Sequence, residues 1–266
     1  MTLSEHLDEL RTRLLRCVLA TGVAAAVAFW RARDVVSFLQ VPLEMARRKY
    51  PGTRLVQTHV AEGFMATMMV SLFAGLALAG PYILHQIWGF VAAGLYREER
   101  RSVKYYVLPG FVLFFSGAAL AYFYVMPWAI DFLIGYAADT TGLESFIALG
   151  PYLSLVAWMM FVFGVVFQLP LVMIFLMRFG VVEPAFFRRY RRHAILIAFV
   201  IGALLTPPDV ISQCMLSGTL LALYEGAILV GARVARRRGA ARRRFSIRSP
   251  TSRCRCCPAC PAPSLS

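Results

Sequence analysis

The chain has 266 residues, of which 59% are hydrophobic, and it carries a formal net charge of +14. With a mean hydropathy of +0.64 it is too apolar for a soluble domain of this length, which excludes the soluble protein classes. Several stretches without Asp, Glu, Lys or Arg exceed the roughly 20 residues that a membrane-spanning helix needs. We therefore predict an all-α fold with several helices across a membrane.

The first segment of the chain is predicted to be a helix at the membrane surface. One apolar stripe repeats at helical spacing and is formed by Leu3, Leu7, Leu10 and Leu14. Glu9 falls on the opposite, polar face of this helix. Two interpretations of Glu9 stay open: it pairs with Arg13 one helical turn later, or it stands where a ligand at the membrane surface reaches it.

Six transmembrane helices are predicted along the chain. They are taken from the charge-poor stretches 14–30, 63–96, 105–130, 145–177, 194–205 and 210–224. The last two are short, at about 12 and about 15 residues, and short spans imply a thinned bilayer or shielding by a partner. Two prolines in the turn 206–209 end the fifth helix, and Asp209 is placed to cap the sixth.

The distribution of basic residues predicts which way the chain crosses the membrane. An even number of spans places both termini on one side, and that side holds most of the 28 Lys and Arg residues. The positive-inside rule makes it the cytoplasmic side. The loop 31–62 is an exception, because it carries six basic residues on the opposite side.

The composition changes after residue 231. We predict a membrane domain at 1–231 and a disordered cytoplasmic tail at 232–266 that is basic and rich in Cys and Pro. The four cysteines within 254–260 could bind a soft metal, but no matching pair of ligands lies elsewhere in the chain. We therefore expect neither a metal ion nor a cofactor.

One polar residue interrupts the predicted fourth span. Gln168 must face protein or water rather than lipid, because a polar group inside the bilayer is expensive to expose. A structural role is open, since Pro170 frees a backbone carbonyl nearby that the amide could satisfy. A functional role for this amide is equally open. A glutamine does not titrate, which disfavours a proton relay at this position.

Five short segments carry a family resemblance. They are Ser-Glu-His-Leu-Asp-Glu-Leu-Arg at 4–11, Gln-Ile-Trp-Gly-Phe at 86–90, Leu-Tyr-Arg-Glu-Glu-Arg-Arg at 95–101, Phe-Gln-Leu-Pro at 167–170 and Leu-Thr-Pro-Pro-Asp-Val at 205–210. In order and spacing they resemble TatC, the receptor subunit of the twin-arginine protein translocase. One departure is Ala93, where the family commonly has proline.

The resemblance implies a receptor in the bacterial inner membrane rather than an enzyme. Its ligand would be a signal peptide with consecutive arginines, its partners the single-span subunits TatA and TatB, and its energy source the proton-motive force. A carboxylate accepts two parallel hydrogen bonds from the planar guanidinium fork, which suits recognition of arginine over lysine. The alternatives are a small-solute or ion transporter and a purely structural membrane scaffold.

The resemblance also assigns residues. The signal-peptide site would consist of Glu9, Leu10, Arg11, Phe90, Tyr96 and Glu99. Glu98, next to Glu99, is not part of it. Gln168 would line a concave cavity within the membrane. The cap on the outer face and the partner contacts would involve Pro42, Glu62, Ala203, Leu204 and Asp209.

Overall fold

A computed structural model describes residues 3–50, 52–93, 106–141, 146–206 and 209–247, without the side chains of 3–6, 91–93, 141 and 234–247. Within these ranges the helices are α1 (Leu3–Trp30), α2 (Ala32–Lys49), α3 (Glu62–Ala93), α4 (Val107–Leu120), α5 (Met126–Thr141), α6 (Leu149–Val166), α7 (Leu169–Phe179), α8 (Pro184–Arg189), α9 (Arg191–Leu205) and α10 (Val210–Ile247). The strands are β1 (Arg54–Val56) and β2 (Phe146–Ala148).

Five helical segments of the described chain are long and apolar enough to cross a membrane. They are Leu7–Trp30, Glu62–Phe90, Val107–Thr140, Leu149–Phe179 and Val210–Arg233. This confirms a polytopic, all-α membrane protein. Helix α9 has 15 residues, which is about 22 Å of helix and shorter than the roughly 30 Å hydrocarbon core.

The segment predicted as the fifth span is a short helix, as expected, and its crossing of the membrane stays a prediction. The predicted shortness of the sixth span is wrong. Helix α10 contains a stretch of 24 residues that is able to span a membrane. This stretch continues past Glu225, whose Oε2 accepts a hydrogen bond of 2.7 Å from Arg191 at the start of α9. The backbone of α10 stays helical to Ile247, so the first part of the predicted disordered tail is helical.

Two of the long spans are interrupted at prolines. A π-helical turn, Ala121–Val125, joins α4 to α5, whose second residue is Pro127. A break at Phe167 and Gln168 separates α6 from α7, whose first turn contains Pro170. In both places the chain meets a residue that cannot donate a backbone hydrogen bond, and the regular α-helical hydrogen-bond pattern changes there.

Helix ends and strands define the two sides of the molecule. We call the end that carries β1, β2 and the start of α3 the outer side, and the opposite end the inner side. The two strands pair in parallel, with Arg54 opposite Phe146. The sequence analysis did not predict this small sheet, because three-residue strands are too short to leave a pattern.

The main core lies where α2, α5, α6 and α10 meet. Its fully buried side chains include Leu43, Met126, Leu153, Met159, Phe163 and Leu216. Lipid tails are as apolar as these side chains, so close packing rather than escape from water stabilises such a core in a membrane. Helix α2 contributes through Leu39 and Leu43, so the segment after α1 is part of the packed structure.

An apolar cavity of about 420 Å³ lies beside this core, between α2, α3, α4 and α6. Aromatic and small aliphatic side chains line it, among them Phe38, Phe73, Phe114, Tyr122 and Phe161. The Tyr122 hydroxyl donates to the carbonyl oxygen of Phe38. The single hydroxyl of the Tyr122 side chain is therefore already hydrogen-bonded within the protein.

Candidate functional site

A polar cleft of about 510 Å³ opens between α1 and α3 on the inner side. Seven polar side chains line it: Asp8, Glu9, Thr12, Arg13, Arg16, His85 and Gln86. The first five lie on one face of α1, opposite the leucine stripe, as the 3.6-residue period requires. The last two lie on α3, so the cleft joins the segment 4–11 to the segment 86–90.

Glu9 forms an ion pair inside this cleft. Its Oε1 atom accepts hydrogen bonds from Arg13 Nε at 3.1 Å and from Arg13 Nη2 at 2.5 Å. The Glu9 side chain is 24% exposed and the Arg13 side chain 19%. Among the described residues no donor reaches the other oxygen, Oε2. Glu9 therefore pairs with Arg13 and also faces a cleft open to solvent, while its contact with a ligand stays a prediction.

Arg13 connects this ion pair to α3. Its Nη1 atom donates to the carbonyl oxygen of Gln86 at 3.2 Å, while Gln86 itself is buried. Gly89, one turn further along α3, leaves the space that the guanidinium occupies, because a Cβ at that position would overlap Arg13 Nη1. The guanidinium is therefore held by hydrogen bonds to both helices.

An aromatic cluster fixes the helix ends beside the cleft. Trp88 on α3 stacks on Tyr106 at 5.4 Å between ring centroids, and Phe175 on α7 lies against both rings. Arg178 donates to the Tyr106 hydroxyl at 3.3 Å and lies over its ring. The cluster holds the end of α3 next to the start of α4, the two points that the segment 94–105 connects.

The arrangement matches known proteins over most of the chain. The family described as Sec-independent protein translocase protein (TatC) matches residues 5–218. The chain belongs to the TatC family. It is 38% identical over 231 residues to the Sec-independent protein translocase protein TatC of Desulforapulum autotrophicum, covering 87% of this chain and 84% of that one. Over 220 residues it is 36% identical to TatC of Escherichia coli, covering 83% and 84%.

Solved structures of the family have the same fold. A crystal structure described as that of the twin-arginine translocase receptor TatC superposes with a TM-score of 0.76 at 34% identity, covering 86% of this chain and 99% of that chain. A second structure of TatC, in the detergent DDM, gives a TM-score of 0.77 at the same identity. The resemblance seen in the five short segments is thus confirmed for the family and the fold.

The predicted TatC site is only partly within the described residues. Glu9 lies in the cleft, but Leu10 is 42% exposed on the other side of α1, and Arg11 is also exposed. Phe90 is half-buried near the end of α3. The rest of the predicted set, Tyr96 and Glu99, lies outside the described residues, as does Glu98.

Sequence reasoning missed the roles of two residues of the cleft and of one glycine beside it. The sequence analysis named Arg13 only as a partner of Glu9. It included Gln86 and Gly89 in the family segment 86–90 but assigned no role to either residue. The signal that could have indicated a role for Gln86 is its position one turn before the end of a span, where a buried amide needs a partner from another helix. The glycine at 89 indicates a close approach, but the sequence does not say of which group.

Gln168 lies in the break between α6 and α7, next to α4. Its Nε2 atom donates to the carbonyl oxygen of Gly110 on α4 at 2.8 Å. This is a different acceptor from the carbonyl that Pro170 frees. Its Oε1 atom is buried and has no hydrogen-bond partner among the described residues. The bond to Gly110 is a structural contact for Gln168. The 420 Å³ cavity is lined by other side chains, and a role of Gln168 in a cavity therefore stays a prediction.

The outer-side residues mostly bond to their own chain. Glu62 Oε1 accepts a hydrogen bond from the Gly150 backbone at 2.7 Å, which ties α3 to α6. Asp209 accepts the Ser212 backbone N–H at 2.7 Å and thereby caps α10, as expected. Pro42 is buried in α2.

Two further outer-side residues lie on the exposed surface of α9. Ala203 is exposed and Leu204 is 82% exposed, near the end of the helix. This exposure is compatible with the partner contact that the resemblance implies for them.

Proposed function

We propose that the chain is the signal-peptide receptor and core subunit of a twin-arginine translocase, which exports folded proteins by using the proton-motive force. The observation that carries the proposal is the Glu9 carboxylate, held in a polar cleft with one oxygen bonded to Arg13 and the other without a donor among the described residues. The family of the chain and the solved structure described as the translocase receptor support the same role.

The chemistry of arginine recognition suits this carboxylate. A charge-assisted hydrogen bond between a guanidinium and a carboxylate is worth roughly 1.5–3 kcal/mol and is shorter and stronger than a neutral one. Glu9 offers one open oxygen, and Glu99, in the segment that follows α3, would supply a second carboxylate. Two carboxylates at a fixed separation read two adjacent arginines, whereas a lysine lacks the planar fork.

The test is a binding titration with a fluorescent Arg-Arg signal peptide. Glu9→Gln and Glu99→Gln should each weaken affinity by about one to two decades, the equivalent of one charge-assisted pair. Glu5→Gln and Glu98→Gln are the matched controls, because they make the same chemical change at neighbouring positions. Equal losses for all four variants would mean that bulk negative charge, rather than a defined site, binds the peptide.

The surroundings of the cavity do not favour the transporter alternative. A solute path needs polar groups along the membrane interior, whereas apolar side chains line the 420 Å³ cavity and the Tyr122 hydroxyl is already bonded.

With Gln168 unable to titrate, the proton-motive force would act on the assembled translocase rather than through this residue. A protonophore should stop export while leaving binding of the signal peptide unchanged. Export that continues without a proton gradient would contradict this energy source.

We further propose six membrane spans, with both termini on the cytoplasmic side of the bacterial inner membrane. The loop 31–62 carries six basic residues on the opposite side, and two of them have partners within the protein. Lys49 bonds to Asp131 at 2.8 Å, and Arg47 donates to the Thr53 carbonyl. In a chain without its native cysteines, a cysteine at His59 should be labelled from outside intact cells and one at Arg192 only after lysis. Labelling of both from outside would contradict this topology.

The partners TatA and TatB are proposed to dock along α9. This helix is too short to fill the bilayer alone, and its exposed apolar residues include Leu196, Ile197, Val200 and Leu204. Cysteines at Ala203 or Leu204 should form disulfides with cysteines in the single span of a partner. A cysteine at Phe115 on α4 is the control and should crosslink little. Equal crosslinking at both helices would place the docking surface elsewhere.

We propose a functional boundary after residue 231, with 232–266 dispensable for peptide binding. All five family segments lie before it. A chain truncated after Gly231 should insert into membranes and bind the Arg-Arg peptide with unchanged affinity. Normal expression with lost affinity would show that the tail, including the cysteines of 254–260, belongs to the receptor.

A further inference from the structure

We infer that Arg13 is a positioning residue, which holds the Glu9 carboxylate against α3 so that Oε2 of Glu9 stays available to an arginine of the signal peptide. The inference rests on the proposed function, because it assigns Arg13 a role in the binding that Glu9 performs. It adds a residue, and a supporting glycine, that the resemblance does not place in the site.

The first support is that Arg13 is anchored at both ends of its guanidinium. Nε and Nη2 both donate to Oε1 of Glu9, and Nη1 donates to the backbone carbonyl of Gln86. A backbone carbonyl within a helix is a rigid acceptor. The planar fork transmits this rigidity to the carboxylate, because its nitrogen atoms keep fixed directions relative to one another.

The second support is the fit of the guanidinium against α3. A Cβ on Gly89 would overlap Nη1 of Arg13, so glycine at this position is what permits the Gln86 contact. Gly80, on the same helix, has no atom within 4 Å of the position of a Cβ. The close approach is therefore specific to the place where Arg13 lies.

The bonding pattern distinguishes positioning from competition. An arginine that competed with the ligand would occupy both carboxylate oxygens, as a bidentate pair does. Arg13 bonds Oε1 alone, and no described residue donates to Oε2. The ligand can therefore bind without displacing Arg13. Positive charge on Arg13 opposes a second guanidinium, but water in the open cleft screens that repulsion.

The expected gain in affinity comes from the order that Arg13 imposes on the Glu9 side chain. Immobilising a side chain rich in rotamers on binding weakens affinity by about two- to tenfold, and Arg13 removes this cost for Glu9 before the ligand arrives. The effect should be present only while Glu9 is a carboxylate. It should also depend on the guanidinium shape of Arg13 and not on its charge alone.

The deciding experiment uses Gly89→Ala, with Gly80→Ala as the matched control, in the full-length chain. The added methyl group displaces only the end of the Arg13 side chain, so the melting temperature should change little. Affinity for the Arg-Arg peptide should fall about two- to tenfold in Gly89→Ala and stay unchanged in Gly80→Ala. Equal affinity in both variants would overturn the inference.

Two substitutions of Arg13, one control and one double variant test Arg13 itself. Arg13→Gln and Arg13→Lys should both lose affinity, because neither an amide nor a compact ammonium has the planar fork that joins Glu9 to Gln86. Arg192→Gln, an exposed charge on α9, should not. On a Glu9→Gln background Gly89→Ala should cause no further loss. Tighter binding by Arg13→Gln would identify Arg13 as a competitor and overturn the inference.

The two proposals fail differently. If Glu9→Gln leaves affinity unchanged, the proposed peptide site is wrong and the positioning role falls with it. If Glu9→Gln weakens binding but Gly89→Ala and Arg13→Gln do not, the site stands and the positioning role alone is wrong.

Discussion

On the outer side, Glu62, Asp131 and Asp209 have both carboxylate oxygens occupied by donors of the same chain, whereas Glu9 on the inner side has one. Glu62 accepts bonds from Gly150 on Oε1 and from the loop at 58–59 on Oε2. Asp131 accepts Lys49 on both oxygens. Saturated carboxylates stabilise a fold and have little left to offer a ligand, while Glu9 retains bonding capacity.

The difference follows from what surrounds each carboxylate. Glu62 and Asp209 lie at helix starts, where backbone N–H groups lack intrahelical partners and seek acceptors. Asp131 lies within α5 and is instead paired with the Lys49 ammonium. Glu9 lies within α1, whose own N–H groups are already bonded, so only side chains reach it. The position at a helix start therefore explains the saturated carboxylates of Glu62 and Asp209, and the position of Glu9 inside a helix explains why its Oε2 stays open.

The largest effect on stability is expected for Glu62→Gln. The carboxamide would place a donor among the donors of Thr58, His59 and Gly150, and would loosen the contact between α3 and α6. The melting temperature in detergent should fall more than for any other variant discussed. Glu44→Gln, an exposed change on α2, is the control. An unchanged melting temperature would mean that these bonds do not hold the outer side together.

A smaller loss is expected for Asp209→Ala. Its two oxygens accept the backbone N–H and the hydroxyl of Ser212, which makes it the N-cap of α10. Removing an N-cap costs about 0.5–2 kcal/mol. Chemical unfolding should show this loss, and Asp209→Asn should restore part of it. Full stability in Asp209→Ala would show that α10 starts without this cap.

The smallest effect is expected for the exposed pair of Lys49 and Asp131. The hydrogen bond to Asp131 raises the pKa of Lys49 above its ordinary value. A raised pKa means that the contribution is complete below the ordinary lysine pKa and is lost only as pH rises through the folded value. Lys49→Gln should therefore change the melting temperature slightly and equally from pH 6 to pH 9. A change in melting temperature that depends strongly on pH between 6 and 9 would contradict the raised pKa of Lys49.

The sequence predicted the elements that depend on local pattern. Charge-free stretches located the spans, and the Pro-Pro-Asp turn correctly indicated the cap at Asp209. Contacts between distant residues were not predictable in this way. Arg13 meets Gln86 across 73 positions and Glu62 meets Gly150 across 88. The sixth span was called too short because Glu225 looks like its end until Arg191 on α9 is seen to neutralise it.

The central claim is that Glu9 reads arginine with a carboxylate oxygen that the fold leaves open. The most direct test is the ratio of affinities for an Arg-Arg peptide and its Lys-Lys counterpart, measured for the native chain, Glu9→Gln and Asp209→Asn. We expect the ratio to favour arginine in the native chain, to stay the same in Asp209→Asn and to approach one in Glu9→Gln. A ratio that Glu9→Gln leaves unchanged would contradict the account.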